Sequence, residues 1–242
     1  MSNYLYETHM HTEEVSACAT ATGVEQARIY KDLGYEGIII TDHFHNGNTS
    51  IPRNLPWKDW VERFASGYEN AKREGDKIGL SVFFGWEESF EGNDFLIFGL
   101  DKEWLLEHPE ILTWSIEEHY KYIKADGGLF IHAHPFREAD YIKKIRLFPK
   151  DCDGVEIINS SHRNMKYDKR ASRYALNNNM AIMAGSDSHH VDDIRGGMLF
   201  DHKLKDINDF INSVKAREGI EIVRDCRKLS YNYKKTFSNR GK

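Results

Sequence analysis

Five times along this chain an apolar, strand-like run ends in a short cluster of ionisable residues: His9-Met10-His11, Thr41-Asp42-His43, Glu87, His132-Ala133-His134-Pro135 and Gly185-Ser186-Asp187-Ser188-His189. Burying charge is costly unless it is paired or bound to metal, so an ordinary buried strand gains nothing from such an ending. A fold that accommodates the pattern must bring several strand ends to one place. The residue types found there point to a site for more than one metal ion.

The strand-like runs are Leu5 to Met10, Gly37 to Thr41, Leu80 to Trp86, Phe95 to Leu100, Leu129 to Ala133, Val155 to Ile158, Ala181 to Ala184, Met198 to Phe200 and Ile220 to Val223. Most are short, continuous and rich in Ile, Val, Leu and Phe, as strands covered on both faces are. Helical patterns fall between them, at roughly Val24 to Leu33, Trp57 to Glu74, Ser115 to Ala125, Met165 to Asn178 and Ile207 to Arg217. Gly34, Gly75 and the pair Gly127-Gly128 close the first three, and Ser115 with Glu118 has capping-box spacing. Trp57, Trp60, Val61 and Phe64 repeat at helical spacing and, with Phe83 and Phe84, are assigned to the core.

Strand and helix thus alternate, which predicts an α/β protein with a parallel sheet and crossover helices, open or closed into a barrel. Polar residues at many different strand ends favour the barrel, whose carboxyl-terminal rim gathers every strand around one centre. No repeat, linker or compositional break marks a second domain, so residues 1–233 are read as one barrel domain and residues 234–242 as a polar, basic tail.

With 242 residues, 40% of them hydrophobic and 12% aromatic, the chain can bury a substantial core. A net charge of −5 supplies no overall basic field, so nucleic acid is disfavoured and a small ligand is the default partner. The first residues lack the pattern of a signal peptide and no run is long enough to span a membrane, so a cytoplasmic location without membrane association is expected. Three widely separated cysteines suggest neither a disulfide framework nor a cysteine zinc knuckle; Cys18 stands nearest the proposed site.

Within the clusters, His9 and His11 are two apart, so on a strand both point to one face. His43 is assigned as a ligand, and Asp42 as the carboxylate that orients an imidazole from behind. Glu87, or a solvated acidic loop in its place, offers a carboxylate able to bridge two cations; only one of Glu87 and Glu88 can point inward. Asp187 and His189 are again two apart, pointing inward together or separated onto two ions.

In this order and context the clusters resemble the PHP family, the polymerase and histidinol phosphatase metal-dependent phosphoesterases, over roughly residues 7–197. The resemblance implies a distorted (β/α)7, TIM-like barrel as a single domain, binding two or three divalent transition-metal ions, zinc, manganese or iron, at the carboxyl-terminal rim. It implies that His9, His11, Glu87 and Asp187 hold one ion, that Glu87 bridges to a second held also by His134, and that His43 and His189 hold a third. It points to His134 rather than His132. Where relatives carry a further ligand after the first pair this chain reads Thr12-Glu13-Glu14, which makes Glu14 a candidate; Asp94 stands where a histidine often precedes the following strand. Arg137 is a candidate phosphate clamp, and Glu156, Asn159, His162, Arg163 and Arg195 are candidates for the substrate side of the pocket.

The expected activity is hydrolysis of a small phosphate monoester by a metal-bound hydroxide, with Glu87, Asp187 and Arg137 as the catalytic residues and Asp187 or a nearby histidine as proton shuttle. Three alternatives stand beside it: a nuclease or phosphodiesterase acting on oligonucleotides, a non-catalytic metal-binding regulatory module, and a barrel that hydrolyses a carbon–nitrogen bond.

Overall fold

The computed structural model describes residues 3–140 and 142–229, so the tail expected at 234–242 lies outside the described residues. The elements in order are β1 (Tyr4–Glu7), α1 (Gly23–Asp32), β2 (Gly37–Ile40), α2 (Trp57–Phe64), α3 (Ser66–Ile78), β3 (Ser81–Phe90), β4 (Asn93–Phe98), α4 (Lys102–Glu107), α5 (Ile116–Ala125), β5 (Leu129–Ala133), β6 (Gly154–Asn159), α6 (Lys166–Asn177), β7 (Ala181–Gly185), β8 (Gly197–Phe200), α7 (Ile207–Ala216) and β9 (Ile220–Val223). A short 3-10 turn at Pro109–Thr113 leads into α5.

One sheet orders the strands β7-β6-β5-β4-β3-β2-β1-β8-β9. Tyr6, Ile39, Leu96, Ile131, Met183 and Met198 nevertheless belong to a single buried cluster. Residues from β7 and β8, far apart in that order, can share a cluster only if the sheet curls back on itself. The result is a nearly closed, distorted TIM-like barrel. Side chains alternate across it: Ile39 joins the inner cluster, while Ile38 and Ile40 pack outward with Tyr30 of α1 and Ala71 of α3.

The expectation of a wholly parallel sheet is corrected. Strand β4 runs antiparallel to both β3 and β5, and β8 runs antiparallel to both β1 and β9. The cause at β3–β4 is local: Phe90 pairs with Asn93, leaving a two-residue connection, Glu91-Gly92, with φ of 49° and 82°. Two consecutive positive φ values make the tight hairpin turn whose twist matches the flanking strands, and a connection that short cannot return a strand in parallel. The strand expected to stop at Trp86 therefore continues through Glu87 to Phe90.

The helix expected over Trp57 to Glu74 is two, broken at Ala65, and α3 passes Gly75 to end on Gly79, whose φ of 71° suits a residue without a side chain. Helix α4 has no counterpart in the sequence reading. The expected capping box is present: the Ser115 side chain accepts from the Glu118 amide while the Glu118 carboxylate accepts from the Ser115 amide. Trp60 and Phe64 are buried against Phe44 and Trp86 as core residues. No helix among the described residues is long and apolar enough to cross a membrane.

Closure of the barrel is made beyond the strand ends. Past Glu7 the chain leaves β8 and runs beside the segment after β7, where the Asp187 amide donates to the His9 carbonyl and the His11 amide to the Ser188 carbonyl, each at 2.8 Å. The fork is possible because Gly197, at φ 120°, lies so close to β1 that a Cβ there would sit 2.2 Å from the Tyr6 carbonyl oxygen. Replacing Gly197 with Ala is expected to cost about 3 kcal/mol or more, combining backbone strain with a steric clash. Chemical denaturation measures it, and a loss below about 1 kcal/mol would contradict the close approach.

Candidate metal centre

The seam of the barrel is also where the ionisable residues meet. Although β1 ends at Glu7, His9 and His11 keep the strand's two-residue parity, because Met10 between them is bridged to Ser188. Gly185 lets this segment come close, since a Cβ there would lie 2.4 Å from that of His9. His9 Nε2 and His11 Nε2 are 3.3 Å apart, and Asp187 Oδ1 lies 3.4 Å from the first and 3.3 Å from the second.

Which nitrogens carry protons follows from the groups behind them. His9 Nδ1 sits 2.9 Å from Glu156 Oε1; a carboxylate only accepts, so Nδ1 carries the hydrogen and Nε2 presents its lone pair. Ser16 Oγ donates to Asp42 Oδ1 at 2.7 Å, so its lone pairs face His11 Nδ1 at 3.1 Å and the His43 amide at 3.1 Å. His11 is thereby fixed with Nδ1 protonated and Nε2 open. Three lone-pair atoms form a triangle with edges of 3.3–3.4 Å. A tetrahedral zinc site with bonds of about 2.0–2.1 Å has ligand–ligand edges of about 3.3 Å. The residues present fit a divalent cation.

Two further groupings share these side chains. His9, Glu87 and His134 form one, with Glu87 Oε1 at 3.3 Å from His9 Nε2 and 3.0 Å from His134 Nε2. His11, His43 and His189 form the other. Glu87 Oε2 lies 2.7 Å from His43 Nδ1, a largely buried ion pair.

Asp187 stands in the triangle while His189 stands with His43, so the pair separates onto two groupings. Both Asp187 (φ 55°) and His134 (φ 27°) hold left-handed backbone conformations, strain that aims their side chains into the site.

The fields are strong and opposed. Burial raises the Glu87 carboxyl, but His43 and His9 outweigh it and hold it well below the usual range; Arg137 and His9 do the same for Asp187. His9 is desolvated, yet Glu156, Asp187 and Glu87 drive it well above its ordinary value. His11, equally buried, is pushed well below by burial and by His43 and His189.

Asp42 is held apart from the triangle, accepting from the Thr12 amide at 2.6 Å, Thr12 Oγ1 at 2.7 Å and Ser16 Oγ. Asp94 lies 4.0 Å from His134 Nε2 and belongs to none of the three groupings; burial, then the Glu87 charge, push its carboxyl up. Glu14 is turned away, accepting from the Gly23 amide at 2.9 Å and Asn70 Nδ2 at 3.0 Å, which overturns its candidacy as a ligand. Glu88 faces the other side of the strand, 3.8 Å from His119 Nε2.

His132 is a core aromatic stacked 4.8 Å from Phe95; burial lowers it to about 3, so it stays neutral. Arg195 does not reach the cleft, its guanidinium donating to the Asp193, His190 and Val191 carbonyls. Arg163 is exposed and outside the cleft lining. Glu156 stands behind His9 rather than on the substrate side, and Asn159 bridges it to Asp187. Arg137 lines the cleft, bonded to Asp187 Oδ2 and 3.2 Å from Ser161 Oγ.

Sequence reasoning missed Glu7, fully buried, which accepts from the Thr8, His9 and Ser186 amides and from Tyr30 OH. The signal was available: Glu7, His9 and His11 share one parity.

The relay Asp42–Ser16–His11 sets the tautomer of a candidate ligand. Replacing Asp42 with Ala, which removes the oxygen that takes the Ser16 hydrogen, is expected to weaken zinc binding by about 10- to 100-fold in a folded protein. Titration calorimetry against chelator-stripped protein measures it, and unchanged affinity would sink the relay.

No family model matches the chain. An uncharacterized protein of Methanocaldococcus jannaschii, MJ1587, is 29% identical over 136 residues, covering 56% of this chain and 65% of that protein, so the chain spans just under two thirds of that relative's length. Among solved structures, a two-domain protein of Bacteroides vulgatus containing a predicted PHP-like metal-dependent phosphoesterase superposes with a TM-score of 0.66 at 13% identity, over 91% of this chain and 64% of that one. PsfC of Pseudomonas syringae superposes at 0.63 with 14% identity, over 98% of this chain and 100% of its own. A candidate metal-dependent phosphoesterase of Bifidobacterium adolescentis gives 0.54 at 16% identity, over 88% of this chain and 96% of that one. The chain has the fold of the PHP-like metal-dependent phosphoesterases.

Proposed function

We propose that this protein is a PHP-type hydrolase, a metal-dependent phosphoesterase that cleaves a small phosphate monoester. The observation that carries the reading is the triangle of His9, His11 and Asp187, three lone-pair atoms at the edge lengths of a metal tetrahedron. It opens beside Glu87 and Arg137 onto a cleft of about 530 Å³ lined also by Asn46, Asn48, Ser89 and Asp94. Such a volume suits a compact ligand. Among the described residues Arg137 is the one arginine or lysine of the lining, which is too little positive charge to track a polynucleotide backbone.

His9, His11, Glu87, His134 and Asp187 would hold two divalent ions, Glu87 offering one oxygen to the His9–His134 pair and the other toward His43. Bound there, the ions would acidify a water and neutralise charge on the phosphoryl oxygens. The chain's own contribution is geometric. Glu156 and Ser16 hold the imidazoles in the ligand tautomer, Asn159 and Arg137 fix the second oxygen of Asp187, and the planar Arg137 donors suit two phosphoryl oxygens. Arg137 and His9 keep Asp187 ionised and so able to ligate a cation.

The test is a panel of phosphomonoesters and oligonucleotides assayed with zinc, manganese and iron, before and after chelation. Turnover of small monoesters that chelator removes supports the proposal; cleavage of oligonucleotides alone, or activity indifferent to chelator, overturns it. His9→Asn and Asp187→Asn are each expected to lower kcat on the order of 10³-fold while the protein stays folded. Arg137→Lys, which keeps the charge and loses the fork, is expected to raise KM about tenfold. An unchanged KM would remove Arg137 from substrate binding.

A further inference from the structure

We propose that the sulfur of Cys18 is a metal ligand, completing with His43 and His189 a third cation position of mixed nitrogen and sulfur donors. The inference rests on the metal-dependent reading above and adds to it a donor of a different chemical kind.

The two imidazoles are already gathered beside His11. His11 stacks 4.2 Å from both His43 and His189, centroid to centroid, and each of the three offers a nitrogen within 4.8 Å of the others. Cys18 lines the same cleft as His43 and His189, and its thiol is within hydrogen-bonding reach of both rings. A thiol carries one hydrogen and can satisfy one imidazole; the second then meets a sulfur lone pair.

The loop that carries it is held on both sides. The Ala17 amide donates to the Asn48 carbonyl at 2.9 Å, and the Thr20 and Ala21 amides donate to the His189 carbonyl at 2.9 and 3.2 Å. The backbone around Cys18 is thus tied directly to a residue of the third grouping. Glu14, the other candidate from this stretch, is committed to Gly23 and Asn70.

Independent of the cysteine, buried Glu87 holds Oε2 2.7 Å from His43 Nδ1 and so brings a carboxylate to the same position. Two imidazoles with one thiolate leave the fourth tetrahedral position to water, a donor set that zinc takes, and sulfur biases a site toward zinc, iron or cobalt and away from magnesium or manganese. The remaining cysteines offer no rival: Cys152 donates to the Phe148 carbonyl inside the core, and Cys226 is absent from the cleft lining.

Cobalt(II) tests the assignment without recourse to activity, because thiolate ligation gives a near-ultraviolet sulfur-to-cobalt charge-transfer band that imidazole and carboxylate do not. Chelator-stripped full-length protein is titrated with cobalt(II), and the visible and near-ultraviolet bands are followed separately. The band is expected in the wild type and in the Cys152→Ser/Cys226→Ser double variant, where Cys18 is the sole thiol. It is expected to vanish in Cys18→Ser with weaker uptake of the last cobalt, and Cys18→Asp is expected to recover that uptake without the band.

Visible cobalt bands with no charge-transfer band, or a band that survives Cys18→Ser, overturn the Cys18 assignment and leave the rest of the metal centre standing. No cobalt uptake at all overturns the metal-dependent reading and this inference together. Should Cys18→Ser fail to fold by circular dichroism, the double variant alone decides.

Discussion

The arrangement hangs on one buried carboxylate. Glu7 sits at the fork where β1 leaves β8, and it accepts from three backbone amides, Thr8, His9 and Ser186, and from the hydroxyls of Tyr30 and Ser186. Burial alone raises its carboxyl above the usual range, against the pull of those hydrogen bonds. A carboxylate out of water is tolerable only when its lone pairs are filled, and here the donors that fill them come from both sides of the barrel's seam. The same contact therefore closes the barrel and sets where His9 and Asp187 lie. Shape and site are one constraint at this point of the chain.

Around that clasp the charges are deliberately unequal. His9 and His11, two residues apart and equally buried, are driven in opposite directions, the first up by Glu156, Asp187 and Glu87 despite burial, the second down by burial, His43 and His189. In the absence of a cation the proton would rest on His9 and the lone pair on His11. A divalent cation among their Nε2 atoms would offset the carboxylates that raise His9 and would use the lone pair that His11 is forced to keep. The electrostatics are thus compatible with the cation that the triangle of distances fits.

Much of this was legible in the chain. The apolar runs marked the strands, the Ser115–Glu118 box marked the start of α5, and the order of the histidine and carboxylate clusters carried the barrel and the ligand candidates. What stayed hidden has particular causes. The antiparallel β4 depends on two backbone angles at Glu91 and Gly92, and a strand reading that stopped at Trp86 left no place for the hairpin. The break at Ala65 falls just before a Ser66-Gly67 step inside an otherwise continuous helical pattern. Glu14 and Arg195 carry the right chemistry at plausible positions but spend it on backbone groups and Asn70, which only tertiary contacts reveal. Glu7 was missed because an ionisable residue before the motif reads as strand boundary rather than as part of it.

The substrate side follows the same logic of groups acting through their neighbours. His162 Nδ1 is 2.7 Å from Asp168 Oδ1, and Asp168 is in turn paired with Arg224. The Asp168 carboxylate takes the Nδ1 hydrogen, so His162 Nε2 is left as an acceptor 3.3 Å from Arg137 Nε. Burial and the Arg137 charge lower His162 to about 3, which keeps it neutral and able to accept across the physiological range. Arg137 thus donates through Nε to His162 while its Nη2 reaches Ser161 and Asp187. The carboxylate paired directly with the guanidinium is Asp187, whose other oxygen stands in the metal triangle. Asp168 acts one step further back, fixing the tautomer of His162 and through it the position of Arg137.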